Sequence, residues 1–114
     1  MGVIASSMRL MTLTNMKNYL DYKLQINAEK MAVLLARVTE NEELYSSMNP
    51  DSPEMGGYRE RKAELNAQEK RIEAEEKMLN KRLQAVMQEM QACEQMLDAN
   101  IQSGVFSYGR GGGR

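Results

Sequence analysis

Cys93 is the only thiol among the 114 residues, and the chain contains no histidine. A nucleophile activated by imidazole, in a Ser-His-Asp or a Cys-His arrangement, is therefore excluded. One thiolate cannot build a multi-cysteine zinc site, nor can it form a disulfide within the chain. Its place among apolar seam positions gives Cys93 the role of a small buried hydrophobe. Carboxylates are better grouped, since Glu69, Glu73 and Glu76 share one helix face. Carboxylate-bridged metal sites in helical bundles also draw on histidines and on further helices. The trio reads instead as a charged face with i,i+4 pairs such as Glu73–Lys77, each worth about a few tenths of a kcal/mol. Gly56-Gly57 and Gly111–Gly113 lack the Lys-Ser/Thr that follows a phosphate-binding loop. These residues offer no catalytic apparatus, no metal site and no cofactor, and the expectation is a protein that is not an enzyme.

The elements that carry these side chains are set by two prolines. Pro50 and Pro53 bracket Asp51 and Ser52, and apart from Gly56-Gly57 no other Pro or Gly occurs between Gly2 and Gly104. The composition is rich in strong helix formers, with one Phe and no Trp. The chain therefore reads as all-α: an antiparallel coiled-coil helical hairpin, oligomeric, whose hinge is Pro50, Asp51, Ser52 and Pro53. Arm one is expected over about residues 8–47, the hinge over 48–57 and arm two over about 58–103. Each arm is about 60–70 Å long at 1.5 Å per residue. Ser52 can cap arm two with Pro53 in its first turn. Gly56-Gly57 weakens that turn by roughly 1 kcal/mol per glycine, so continuous helix is expected from Tyr58. The Gly/Arg segment 104–114 reads as a flexible tail.

Heptad spacing fixes the seam. In arm one, a falls at Val3, Leu10, Lys17, Leu24, Met31, Val38 and Tyr45, and d at Ser6, Leu13, Leu20, Asn27, Leu34, Asn41 and Met48. Ten of these fourteen positions are apolar, which is enough to define one packed face. Lys17, Asn27 and Asn41 interrupt it, and polar seam residues lower stability while fixing register. In arm two, d falls at Leu65, Ile72, Leu79, Val86 and Cys93, and a at Lys62, Glu69, Glu76, Leu83, Met90 and Leu97. Packing is expected to be loose beside the hinge, where a is charged, and tight where the chain ends meet. Leu10 and Leu13 are expected near Met90, Cys93 and Leu97. Beyond Leu97 the spacing changes to four, at Ile101 and Val105, in the manner of a stutter.

Arm one also carries a second apolar stripe. Tyr19, Ile26 and Val33 share the c position, Tyr22 lies beside them at f, and Met8 and Met11 also fall off the seam. A helix apolar on two sides has neighbours on two sides, and the hairpin partner covers only one. These six residues are the candidate interface, either with another copy or with a different protein. Gln84, Gln88, Gln91 and Gln95 form a polar outer face on arm two, solvated or hydrogen-bonded between subunits. The formal charge is −1, and residues 1–50 carry five basic and five acidic side chains. No arm is a polycation, so nucleic acid is not an expected partner. No run approaches the ~20 apolar residues that span a bilayer, and the first residues are not a cleavable secretory signal. Gly2 with Ser6 fits the N-myristoylation pattern, so a membrane enters only if Gly2 is acylated.

Pro50-Asp51-Ser52-Pro53 between two amphipathic helices resembles the Pro-x-x-Pro loop of type III secretion needle subunits. The meeting of N- and C-terminal helices is similar to the terminal coiled coil of flagellin-type axial proteins. The arms here are longer than in needle subunits, and the Gly/Arg tail has no counterpart there. The small helical hairpins of type VII secretion are similar in topology, but their Trp-x-Gly turn is missing. The resemblance implies an exported subunit that polymerises into a filament, extracellular or at the cell surface by a non-cleaved route, with an export chaperone as a second partner. The alternative is a cytoplasmic hairpin adaptor or export chaperone that presents its second stripe to another protein.

Overall fold

The computed structural model of the protein describes residues 2–112, with side chains for residues 2–103. Within them the chain forms two helices, α1 (Val3–Ser46) and α2 (Met55–Gly112). The protein is an all-α helical hairpin. Its long helices suit a sequence with no helix breaker inside either span other than glycines. Thr12, Thr14 and Thr39 sit within α1, where their hydroxyls donate to the carbonyls four residues back, at 3.1, 2.8 and 3.0 Å. That bond occupies a polar group that would otherwise compete with the helix backbone.

The turn is built from local hydrogen bonds. Ser46 and Ser47 donate their hydroxyls to the carbonyls of Glu43 and Leu44, at 2.8 and 3.0 Å. These bonds go to some of the last helical carbonyls, which have no partner within the helix. Asn49, Pro50, Asp51 and Ser52 then form a β-turn closed by Ser52 N–H donating to Asn49 C=O at 2.9 Å. Proline pre-sets the backbone at the second turn position. The Asn49 side chain also accepts from Asp51 N–H at 3.2 Å, an Asx turn. Ser52 Oγ accepts from Glu54 N–H at 3.2 Å, which makes Ser52 the cap that its position before Pro53 led us to expect.

The helices run further than expected. α1 begins at Val3 rather than near Met8, and α2 begins at Met55 rather than Tyr58. Gly56 and Gly57 both take ordinary negative φ. α2 also continues past residue 103 to Gly112, where a flexible tail was expected. The physical reason is shared: once a helix is nucleated, each added residue gains a hydrogen bond without a new nucleation cost. The side chains of 104–114, including Val105, lie outside the described residues.

The chain divides into two compact units. The terminal unit holds residues up to Asp21 together with those from Lys81 onward, and the hinge unit holds Tyr22–Asn80. In the hinge unit, Asn27 meets Ile72 and Asn41 meets Tyr58. Fourteen residues forward on α1 match fourteen back on α2, so the pairing is antiparallel and in one heptad register. In the terminal unit, Ser6 meets Cys93 and Arg9 meets Glu89, again antiparallel. Ser6, one turn before Leu10, is thus the residue opposite Cys93.

Among the described residues every buried side chain lies at d. In the terminal unit these are Ser6, Leu13, Leu20, Val86 and Cys93; in the hinge unit they are Asn27, Leu34, Asn41, Tyr58 and Leu79. The a positions Leu10, Leu24, Met31, Val38, Leu83, Met90 and Leu97 are half-buried, as are Leu65 and Ile72 at d. Ile101 is 45% exposed, and half-buried Asn100, seven residues beyond Cys93, takes the next d position. The expected stutter at Ile101 is therefore absent from the described residues, because the helix keeps its seven-residue repeat.

Candidate protein-interaction surface

The polar residues in the seam find specific partners. Asn27 Nδ2 donates to the Ile72 carbonyl at 3.0 Å. Asn41 Nδ2 donates to the Tyr58 carbonyl at 3.4 Å, and its Oδ1 accepts from Arg61 Nε at 3.1 Å. Both asparagines are at most 4% exposed. Shifting the register would leave these amides unpaired in an apolar seam, which costs roughly 1–3 kcal/mol per group. Lys17 Nζ bonds Asp21 at 3.0 Å on its own helix. Ser6 has no such solution, because its hydroxyl is fully buried with no hydrogen-bond partner. Its main-chain carbonyl accepts from Cys93 Sγ at 3.1 Å.

Beside the turn the packing is mixed: Leu65 and Ile72 at d are only half-buried, as the charged a positions led us to expect, but the turn itself is closed by a buried aromatic residue. Tyr58 is buried and stacks on Tyr45 with ring centroids 4.5 Å apart. Its hydroxyl donates to Glu42 Oε1 at 2.9 Å and accepts from Lys62 Nζ at 3.3 Å. Lys62 and Glu42 are themselves 3.5 Å apart. The hydrogen bond that Lys62 donates to the Tyr58 hydroxyl, then the charge of Glu42, hold the Lys62 pKa above the ordinary lysine value. An aromatic side chain with a polar edge thus fills a place that aliphatic residues fill elsewhere. Sequence reasoning overlooked Tyr58 because the neighbouring glycines placed it at a helix start. The signal was present: Tyr58 lies one heptad before Leu65.

The six candidate interface residues lie on α1 in both units. Met8, Met11 and Tyr19 of the terminal unit are 65%, 66% and 58% exposed. Tyr22 and Val33 of the hinge unit are 58% and 54% exposed, while Ile26 is half-buried. Isolated exposed apolar residues are ordinary. Here they recur along one helix face that does not contain the seam.

Each unit also has its own groove where the two helices meet. In the terminal unit the floor is Leu20 and Val86, with Met16, Tyr19 and Ala85 as walls and Arg9 and Glu89 on the rim. Arg9 and Glu89 form an exposed ion pair at 2.6 Å. In the hinge unit Ile26 and Val33 line a groove over Leu34 and Ile72, with Arg37, Arg71 and Glu75 around it. The stripe and the grooves therefore share residues: Tyr19 in the terminal unit, Ile26 and Val33 in the hinge unit. An apolar floor with a charged rim of both signs is suited to receiving an amphipathic helix.

No other chemistry comes together. Glu69 is half-buried while Glu73 and Glu76 are exposed, and among the described residues no three metal-binding side chains converge. No helix of the described residues is long and apolar enough to cross a membrane. No family model, no curated protein and no solved structure matches this chain.

Proposed function

We propose that this protein is a structural subunit that associates with copies of itself through the second face of α1. The observation that carries the reading is the exposure of Met8, Met11, Tyr19, Tyr22 and Val33, each more than half exposed, on a helix whose opposite face already fills the seam. Burying such side chains against another helix removes apolar surface from water, at about 25 cal/mol per Å². The grooves beside the stripe give a neighbouring helix somewhere to seat.

A contact between two different faces of the subunit that does not close on itself generates a filament. An exported, extracellular filament subunit is the fuller form of the reading. A single cysteine and the absence of Trp suit a chain that is exported unfolded and then polymerises. Negative-stain electron microscopy of the concentrated protein tests it, with regular polymers as the expected result. A strictly monomeric protein at high micromolar concentration, with Tyr19, Ile26 and Val33 in solvent, would overturn it. A closed dimer with no polymer would favour the adaptor or export-chaperone alternative.

A further inference from the structure

The surface of the two units differs in charge. Residues 2–21 and 81–103 of the terminal unit hold eight charged side chains, four of each sign, whereas residues 22–80 of the hinge unit hold twenty-one, nine basic and twelve acidic. Large exposed apolar side chains run the other way. Among the described residues the terminal unit has nine, among them Ile4, Met8, Met11, Met87 and Met96, and the larger hinge unit has six. A solvated helix face is normally dense in charge, and a low-charge apolar surface marks a place where another molecule sits. On the terminal unit the remaining outer positions of α2 include exposed Gln84, Gln88, Gln91 and Gln95, which hydrogen-bond without requiring an opposite charge.

We propose that copies of this chain join through the terminal unit, while the hinge unit stays in solvent. The proposal rests on the self-association reading above and narrows its surface to the terminal part of the stripe, Met8, Met11 and Tyr19, leaving Tyr22, Ile26 and Val33 outside the contact. Two observations select a second copy as the occupant. First, the terminal unit is electrically balanced among its described residues, so two copies meet there without like-charge repulsion. An anionic membrane or a nucleic acid finds no excess of positive charge over residues 2–21 and 81–103, and the only charged side chains that follow them in the sequence are Arg110 and Arg114. Two hinge units would instead bring together surfaces that each carry three more acidic than basic side chains. Second, the chain exposes 8672 Å². A compact monomer of 13.0 kDa exposes about 6300 Å² by the usual scaling, so roughly 2300 Å² is in excess. A standard stable interface takes about 800 Å² from each partner, and the excess is more than enough for one.

The methionines supply the physical means. Of the six exposed methionines among the described residues, five lie on the terminal unit: Met8, Met11, Met16, Met87 and Met96. Their unbranched thioether chains conform to a partner surface without needing exact shape complementarity in advance. Two copies can thus pack over an irregular contact that shorter, branched side chains would leave with voids.

Sedimentation equilibrium of the full chain tests the proposal by comparing two pairs of exposed sites. Met11→Glu and Met96→Glu place a carboxylate in the proposed contact; Leu35→Glu and Met78→Glu place one on the hinge unit, away from the stripe. Circular dichroism of all four checks that helix content is kept, and chemical cross-linking of the unmodified chain with mass spectrometry gives a readout independent of any variant. The first pair is expected to raise the dissociation constant about tenfold or more, since an unpaired carboxylate is costly to bury. The second pair is expected to change it less than about twofold, as exposed substitutions do. Cross-links between copies are expected at Lys17 and Lys81, not at Lys62 or Lys70. If the unmodified chain associates but the hinge-unit variants dissociate it, or all four act alike, this proposal falls and self-association stands. If the unmodified chain stays monomeric, both fall.

Discussion

Ser6 carries a buried hydroxyl with no partner, and such a group costs roughly 1–3 kcal/mol when left unsatisfied. Ser6→Ala removes it while keeping the main-chain carbonyl that Cys93 uses. The variant is expected to be equal to or more stable than the parent by up to about 1 kcal/mol in urea unfolding; a loss of that size would contradict this account of the site. Tyr58→Phe acts in the opposite direction. It deletes the hydroxyl that links Glu42 and Lys62 and is expected to lower stability by about 1 kcal/mol. The folded Lys62 pKa should fall back toward 10.5, read by NMR at Nζ, because the Tyr58 hydroxyl is the main cause of its rise. The sign follows: a raised folded pKa gives stability that is present below the ordinary lysine value and lost as pH climbs through the folded one. Much of this scale was legible in the heptad frame, which placed Ser6, Asn27 and Asn41 at d. Their partners were not legible, because an amide's hydrogen bond depends on the facing helix. Tyr58 went unread because helix propensity at Gly56-Gly57 was weighed above the repeat that continues through it.

At the scale of the element, the hinge followed from residue chemistry alone. Asn49, Pro50 and Ser52 each do what their types favour: the side-chain acceptor, the fixed φ and the cap. The ends of the helices did not follow, because local breakers compete with propagation, and propagation carried the helix through Gly56 and Gly57. That outcome has a measurable consequence. Gly56 has negative φ, and a Cβ added there meets nothing within 4 Å. Gly56→Ala is therefore expected to stabilise the protein by about 1 kcal/mol, through helix propensity and a less flexible unfolded chain. Calorimetry of the variant checks this, and an unchanged or lowered midpoint would place the start of α2 beyond residue 56. The seam itself was legible almost throughout, with all buried residues at d. Ile101 departed from it because four-residue spacing in a sequence does not move the line along which two helices already touch.

At the scale of the whole molecule, each unit buries one line of side chains and leaves a second set of apolar residues in water. A single hairpin has only that thin seam to stabilise it, and small cores without disulfide or metal rarely supply more than about 3–5 kcal/mol. Association that buries the exposed methionines and tyrosines adds to this through mass action, so thermal stability should rise with protein concentration. The stripe on α1 was legible from its seven-residue spacing, and the sparse charge of the terminal unit was countable. That Met8, Met11 and Tyr19 share a unit with the low-charge part of α2 was not, because it depends on which part of α2 lies beside which part of α1. Sedimentation equilibrium of the unmodified chain over low to high micromolar concentration tests self-association most directly. The expected result is a mass that rises with concentration to at least twice 13.0 kDa. A single species of 13.0 kDa across the whole range would contradict it.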